Sequence, residues 1–566
     1  MSLESTAAAV LPRRTLLAAG AVAGGAVLAP ALAATDADAA SAPSPSPSPV
    51  TAVTFAAGEL PLRESEEIQG DILAGFRKDH VQLLLLTFTA PQAARDWLRT
   101  LLPQLATTRQ VASFNQAFSQ QRRTRGGADP AAMSAQWTGL SLTHAGLAVL
   151  AGREPLPGAA TGGTAEAFRQ GPAARAALLG DTGDSAPDNW LFGAPGAAPV
   201  HAVLTLAADH PGELAAALEA QRLAAAQADI AITFQQEGAA LPGSLAGHEH
   251  FGYRDGISQP GVRGFDPLDP DCPDQVQGSP GTRVVPAGEF VVGRPRAVGH
   301  PGAVDLPAWM LNGSFQVVRR LAQDVPAWRT QLQTRLATLV AAGVAPADAP
   351  PEWLGARLVG RWPSGAPVGA CPFADPLPDP GKPADNDLNY ADDPQGWATP
   401  LFSHVRKGNP RDGLVVQPGA RPLAQSAIDV HRIIRRGVPF GPAFDPAFGP
   451  AAEAAPDGSA TPRGLIFICH QADLVDQFEF LQRLWFDEQD FPPNRTPKPG
   501  GDTVIGPDTH VAFETPTGAS SSRVTPLDFT RCVRTEGTVY AFSPSLTALR
   551  ELADGRLDTS PLTHAG

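Results

Sequence analysis

Cysteine is scarce: 566 residues contain only Cys272, Cys371, Cys469 and Cys532, far apart and with no C-x-x-C among them. That spacing argues against a zinc ribbon and a redox dithiol, and it leaves open one or two disulfides of undefined pairing. Positive charge is also in deficit, with 43 Lys and Arg against 57 Asp and Glu and a formal net charge of -14. Nucleic acid and anionic membrane surfaces favour a basic face, so small molecules or proteins are the better partners. No G-x-S-x-G or comparable serine context occurs, which argues against a nucleophile-elbow hydrolase.

What is present is a chain that is 43% hydrophobic and long enough for two large domains. Arg13-Arg14-Thr15-Leu16-Leu17 opens an Ala/Gly-rich apolar run that ends in Ala31-Leu32-Ala33. This has the parts of a cleavable export signal, and the paired arginines point to the twin-arginine route, which carries proteins already folded. A membrane anchor is the alternative, but the Gly and Ala content makes the run weakly apolar. Residues 34–60 form a linker whose alternating Ser and Pro between Ser41 and Pro49 give a stiff, extended chain.

From there the pattern is strand, then helix, repeated. Val81–Thr89 is a nearly unbroken apolar run, and Pro91 opens a helix with Ala94, Trp97, Leu98, Leu101, Leu102 and Leu105 on one face. Val200–Leu206 predicts a strand, Asp209 and Pro211 a cap and first turn, Leu214–Ala226 a helix and Ile230–Gln235 a further strand. Ser314–Arg319 with Ala327–Ala341, and Leu465–Cys469 with Leu474–Trp485, repeat the order, and Thr538–Phe542 precedes a helix from Ser545. The expectation is two α+β domains, 61–275 and 276–566, meeting in the Pro/Gly/Asp-rich stretch around residues 260–288. The irregular region Pro346–Pro400 is too long for a plain connection and is expected to wrap a site.

Three segments carry candidate chemistry. In His250-Phe251-Gly252-Tyr253-Arg254-Asp255-Gly256-Ile257-Ser258-Gln259-Pro260 an acid stands in a glycine turn, where Gly252 and Gly256 permit close backbone approach to a ligand. His404 stands in Phe402-Ser403-His404-Val405-Arg406-Lys407-Gly408-Asn409-Pro410-Arg411; three cations nearby disfavour an imidazolium, leaving a neutral ring that can ligate a metal. Arg435 lies among apolar residues and glycines in Ile434-Arg435-Arg436-Gly437-Val438-Pro439-Phe440-Gly441, where a fixed charge suits a developing anion. A surface ion-paired strand explains the same arginines equally well. His248-Glu249-His250 is a rival: two imidazoles at i and i+2 on one strand face make a mononuclear metal site that lacks a third ligand.

With these motifs the chain resembles the dye-decolourising peroxidases, in their larger, multi-insert branch. The similarity rests on Gly252-Tyr253-Arg254-Asp255-Gly256 for G-x-x-D-G, on the His404 and Arg435 segments, and on Gln69-Gly70-Asp71-Ile72-Leu73, Asn312-Gly313-Ser314-Phe315 and Gly464-Leu465-Ile466-Phe467-Ile468-Cys469, spanning residues 65 to 545 in order. The resemblance implies two ferredoxin-like domains in a dimeric α+β barrel-type sandwich, and one haem b per chain held mainly by the second. It implies His404 as proximal iron ligand, Asp255 as distal acid and base, and Arg435 as distal arginine, with Leu465 and Phe467 lining the distal face. Gly252 and Gly256 would let the loop lie against the porphyrin, Arg411 would pair with a propionate, and Asp502 would orient the proximal imidazole.

Tyr253 stands where phenylalanine is frequent, which adds a phenol near the haem, and Ala398-Thr399-Pro400 stands where Cys-Pro is common. The implied activity is that of a secreted peroxidase, extracellular or in the cell envelope, without stable membrane association once the signal is removed. It would use hydrogen peroxide to oxidise bulky aromatic or dye-like reductants in one-electron steps, with Trp397 and Tyr390 as candidate relays. The alternative is a haem-binding carrier or a porphyrin de-ironing protein with incidental peroxidase activity. An aspartate held ionised by an arginine would keep working at acidic pH, where a distal histidine is protonated.

Overall fold

The computed structural model describes residues 60–130, 132–158, 162–297, 306–376, 386–417, 419–444, 462–518 and 521–562. The export-signal segment 1–33 and the Ser/Pro linker, apart from residue 60, lie outside the described residues. One nine-stranded antiparallel sheet organises the fold. Its first half contains β1 (His80–Phe88), β2 (Gln136–Leu142), β3 (Ala202–Ala208) and β4 (Ile230–Ala239), in the spatial order β4-β1-β3-β2. Its second half contains β5 (Ser314–Gln323), the two-residue β6 (Ile434–Arg435), β7 (Val438–Phe440), β8 (Gly464–Gln471) and β9 (Val533–Ser543), in the order β7-β8-β5-β9, with β6 paired to β8. With β6 set aside, each half reads fourth, first, third, second strand, so the chain repeats one ferredoxin-like layout.

The halves join at both ends of this sheet. Leu142 of β2 pairs with Phe542 of β9. At the other end Gly238 of β4 lies against Val438 and Pro439 of β7, and an added Cβ there would come within 2.7 Å of the Val438 Cγ1. The result is an α+β barrel of two similar sheets.

The unbroken apolar run of β1 follows from burial on both faces. Leu83 and Leu85 point into the barrel with Val203, Val318, Ile466 and Ile468, whereas Leu84 and Leu86 face the helices outside. Each such fully buried side chain contributes roughly 1.5–3 kcal/mol. The helix Pro91–Leu101 covers the outer face with Ala94, Trp97, Leu98 and Leu101. In the helix Pro211–Gln227 the N-cap is His210, not Asp209. Asp209 is instead held by Lys78 at 2.6 Å and by the Ala135 N–H at 2.8 Å, because it closes the β3 end against the neighbouring chain. Asp324 does cap the helix Val325–Ala341, accepting from the Ala327 N–H at 2.8 Å.

The alternation of β8 positions the site. Ile466 and Ile468 enter the barrel, so Leu465 and Phe467 must face outward, where no regular helix covers them and a cavity is left. That cavity is walled on its far side by the helical turn His404–Gly408, by wide helical turns from Leu474 to Phe486, and by residues 504–505. The region Pro346–Pro400, where described, contains the helix Pro351–Val359 and contributes Val359 and Arg361 to the same wall. Cys272, Cys469 and Cys532 are free thiols. Gly238→Val is expected to open the β4–β7 seam and to destabilise by about 1–3 kcal/mol. The measurement is a lower urea midpoint at unchanged slope.

Candidate functional site

One wall of the cavity is built from the loop after β4. The half-buried Glu249 accepts from the Phe251 N–H at 2.8 Å, the Tyr253 N–H at 2.9 Å and the Gln323 Nε2 at 2.5 Å, which ties the start of the loop to the end of β5. Burial outweighs these bonds and pushes its carboxyl up to about 7. Gly252 and Gly256 have φ of 96° and 81°, a left-handed backbone that few other residues adopt. A Cβ at either would meet nothing within 4 Å. The left-handed backbone alone is reason for glycine at both positions, and Gly256 lines the cavity.

The turn presents Asp255 to Arg435, whose guanidinium donates to Oδ1 at 2.5 Å; the Gly256 N–H donates to the same oxygen at 2.6 Å. Both side chains keep about a third of their surface open, 32% for Asp255 and 27% for Arg435. Burial raises the Asp255 pKa, but the Arg435 charge and hydrogen bond, the Gly256 N–H and the more distant His404 together outweigh it and hold the carboxyl below its usual range.

Across the cavity stands His404. Its Nδ1 lies 3.0 Å from Oδ2 of the fully buried Asp502, leaving Nε2 for the cavity that the ring lines. The other Asp502 oxygen accepts from the Val504 and Ile505 N–H groups at 2.9 and 2.7 Å, so the carboxylate is itself fixed. The Phe486 ring stacks on the imidazole at 5.0 Å and 15°. The cations expected to act on His404 are engaged elsewhere: Arg406 donates to Asp393 at 2.9 Å and to the Thr399 carbonyl at 2.6 Å. Lys407 is fully buried and donates to the Glu488 and Phe491 carbonyls at 3.0 Å, and burial pushes its amine down to about 7. The residue facing the imidazole is a carboxylate.

Between the two walls the cavity measures about 250 Å³ and is lined by Leu465, Phe467, Leu321, Val504 and Ile505, with Arg361 and Arg432 also on its wall. Arg411 is not brought there. Its guanidinium is taken by Asn386 Oδ1 at 2.7 Å and the Leu388 carbonyl at 3.0 Å, and it lines a smaller polar pocket that shares Asn409 and Arg432 with the main cavity. Tyr253 lines the cavity as a buried phenol, and burial pushes its pKa up. Tyr390 does not line the cavity; it is buried beneath the Arg406 guanidinium, 4.5 Å from its ring centroid. His250 Nε2 is 2.8 Å from the Phe440 carbonyl and His248 Nδ1 is 3.1 Å from the Ala246 carbonyl, so the rival metal pair is engaged by main chain. Among the described residues no cluster of three His, Cys, Asp or Glu could hold a metal ion alone.

The residues present fit a flat prosthetic group held by one imidazole: an apolar slot, an imidazole whose far nitrogen is fixed by a buried carboxylate, and arginines on the wall, Arg361 and Arg432 among them. Fold and site together define an α+β barrel protein with an apolar cavity between an imidazole and an arginine-held carboxylate. The comparisons narrow the class. The "DyP dimeric alpha+beta barrel domain" model matches residues 67–241. The dye-decolorizing peroxidase msp1 of Mycetinis scorodonius is 32% identical over 392 residues, 66% of this chain and 69% of its own length. Peroxidase 2 of the same organism is 30% identical over 515 residues, 86% of each chain. A solved structure of a dye-decolorizing peroxidase in complex with 2,6-dimethoxyphenol aligns with a TM-score of 0.68 at 28% identity, over 87% of this chain and 100% of that one. The chain belongs to the dye-decolourising peroxidase family and is a haem peroxidase of that type.

The Asp255–Arg435 pair has a measurable signature. A carboxylate whose folded pKa is depressed adds stability above its unfolded value near 3.9 and loses it as pH falls through the lower folded value. Arg435→Leu removes the cation, so the midpoint of thermal unfolding of the variant is expected to fall less than that of the wild type between pH 5 and pH 2.5.

Proposed function

We propose that the chain holds one haem b in the cavity between Asp255 and His404, and that it uses hydrogen peroxide to oxidise bulky aromatic reductants one electron at a time. The observation that carries this reading is the pairing across one cavity of an ionised, arginine-held carboxylate with an imidazole backed by a buried carboxylate. His404 would hold the haem iron through Nε2, and Leu465, Phe467 and Gly256 would line the slot that takes the ring. Of the arginines that line this cavity, Arg361 and Arg432 would meet the propionates, whereas Arg411 lies in the smaller pocket. Bound there, haem supplies the redox-active iron at which peroxide is reduced.

The chain's own part is proton handling. Peroxide has to lose a proton from one oxygen and gain one on the oxygen that leaves as water, and a single group that accepts and returns it suffices. Asp255 can do so because Arg435 keeps it ionised, and the same guanidinium stabilises negative charge on the departing oxygen. Asp502 fixes the tautomer of His404 and makes it a stronger donor. The dimethoxyphenol bound by the structural relative supports a phenolic or dye-like reductant here. We also propose the division into domains 61–275 and 276–566, for which the repeated strand order is the support. We further propose export by the twin-arginine route, on the evidence of Arg13-Arg14 and the apolar run behind them. No helix among the described residues is long and apolar enough to cross a membrane.

Asp255→Asn tests the mechanism. The Soret band is expected to remain while kcat/KM for peroxide falls by about 10²–10⁴. Full turnover with an intact Soret band would remove the acid-base role and return the chain to a haem carrier, and release of free porphyrin would mark de-ironing.

A further inference from the structure

The loop that carries Asp255 and the strand that carries Arg435 come from distant parts of the chain, so their 2.5 Å contact needs something to hold loop and strand in register. Among the described residues β6 has one strand partner: Ile434 and Arg435 pair with His470 and Cys469 of β8, and the Arg436 N–H donates to the Ile468 carbonyl at 2.6 Å. The Arg435 peptide groups point to the other side, where an edge strand leaves its N–H and C=O without a neighbouring backbone. There the Gln259 carboxamide meets both of them. Its Oε1 accepts from the Arg435 N–H at 3.1 Å and its Nε2 donates to the Arg435 carbonyl at 2.8 Å. One side chain therefore copies the donor and acceptor of a missing strand.

Nearby bonds strengthen the dock, and one shares its acceptor: the Arg436 guanidinium also donates to the Arg435 carbonyl, at 3.2 Å, while the Arg435 N–H has the Gln259 Oε1. Arg432 donates to the Ser258 carbonyl at 3.2 Å. On its other flank Arg436 donates to the carbonyls of Asp71, Ile72 and Leu73 at 2.8, 2.9 and 2.8 Å, which anchors β6 to the first half of the barrel. Only four positions separate Gln259 from Asp255, and Gly256 between them has a fixed left-handed turn. Setting Gln259 against the Arg435 backbone thus sets where the Asp255 carboxylate meets the Arg435 guanidinium.

We propose that Gln259 is a positioning residue for peroxide chemistry: its carboxamide clamps the Arg435 main chain and so holds Asp255 and Arg435 in working register. This inference rests on the reading of Asp255 as the proton-moving acid. A glutamine is suited to the place because the clamp needs one donor and one acceptor at the reach of two methylenes. A glutamate keeps the acceptor and sets a second acceptor against the Arg435 carbonyl, and a methionine keeps much of the volume and donates nothing. The titratable and charged groups facing Asp255 are Arg435 from β6, His404 across the cavity and Glu249 from its own loop, and each keeps its identity in the Gln259 variants.

The test compares wild-type holoenzyme with Gln259→Met, Gln259→Glu and Asp255→Asn. For Gln259→Met, kcat/KM for peroxide is expected to fall 10- to 100-fold, as misplacement by about an ångström does. The kcat/KM for 2,6-dimethoxyphenol should change less than twofold, with Soret absorbance and melting temperature kept. The acid limb of the peroxide profile should move to higher pH, because a loosened Arg435 no longer holds the Asp255 carboxyl down, and the pH dependence of fluoride binding, read by absorption without turnover, should move the same way. Gln259→Glu should show the same split between substrates at smaller size, and it decides the matter if the methionine variant does not fold. An unchanged acid limb and an unchanged peroxide kcat/KM in a haem-loaded Gln259 variant overturn the proposal, as does an equal fall for both substrates. If Asp255→Asn loses turnover and the Gln259 variants do not, only the positioning role is lost; if Asp255→Asn keeps it, the reading of Asp255 is what fails.

Discussion

Everything at this site depends on one ion pair, Asp255 with Arg435, set at the junction of the two halves of the barrel. A partly buried carboxylate by itself would be pushed toward its neutral form, and a neutral acid cannot take a proton from peroxide. The guanidinium reverses that, but only at hydrogen-bond distance, so a large part of the surrounding architecture serves to keep the distance short. Glu249 pins the start of the loop, Gly256 turns it, and the Gln259 carboxamide seats its end on the strand that carries the arginine.

The barrel explains why the cavity is where it is. Both halves use the same strand order, and in both the inward-facing residues fill the barrel with aliphatic side chains. On the outer face the halves differ. Leu84, Leu86, Leu204 and Leu206 of the first half are covered by helices. In the second, Leu465 and Phe467 are left facing irregular chain that carries His404 and Asp502. Duplication of a fold thus leaves one copy to supply packing and the other to supply the slot. A one-residue slip in β8 would exchange Ile466 and Ile468 with Leu465 and Phe467 and would spoil barrel and slot together.

Much of this was legible residue by residue. β1 was visible because both of its faces are buried, which makes its apolar run continuous, and the helix behind it because Pro91 starts it and the apolar spacing continues it. β2 was not, since Gln136-Trp137-Thr138-Gly139-Leu140-Ser141-Leu142 mixes polar and apolar residues and becomes a strand only when β3 and Leu142–Phe542 pairing hold it. The hairpin Thr509–Gly518 and Ser521–Phe529 was missed for a similar reason, with two prolines and mostly polar positions. Gln259 stood inside the motif that drew attention to Asp255, but nothing in its neighbours announces that its amide will face the Arg435 backbone.

By itself the sequence determined the repeated strand-then-helix order and the three segments bearing an acid, an imidazole and an arginine, because hydrophobic period and turn residues are local properties of the chain. Only the tertiary structure decided which groups meet. It turned Arg406 and Lys407 away from His404 and set Asp502 there, and sent Arg411 to a side pocket while Arg361 and Arg432 took the cavity wall. The physical reason is the same throughout: hydrogen-bond partners between 13 and 98 residues apart are selected by how irregular chain folds over the sheet, and the hydrophobic period of a short window does not contain that geometry.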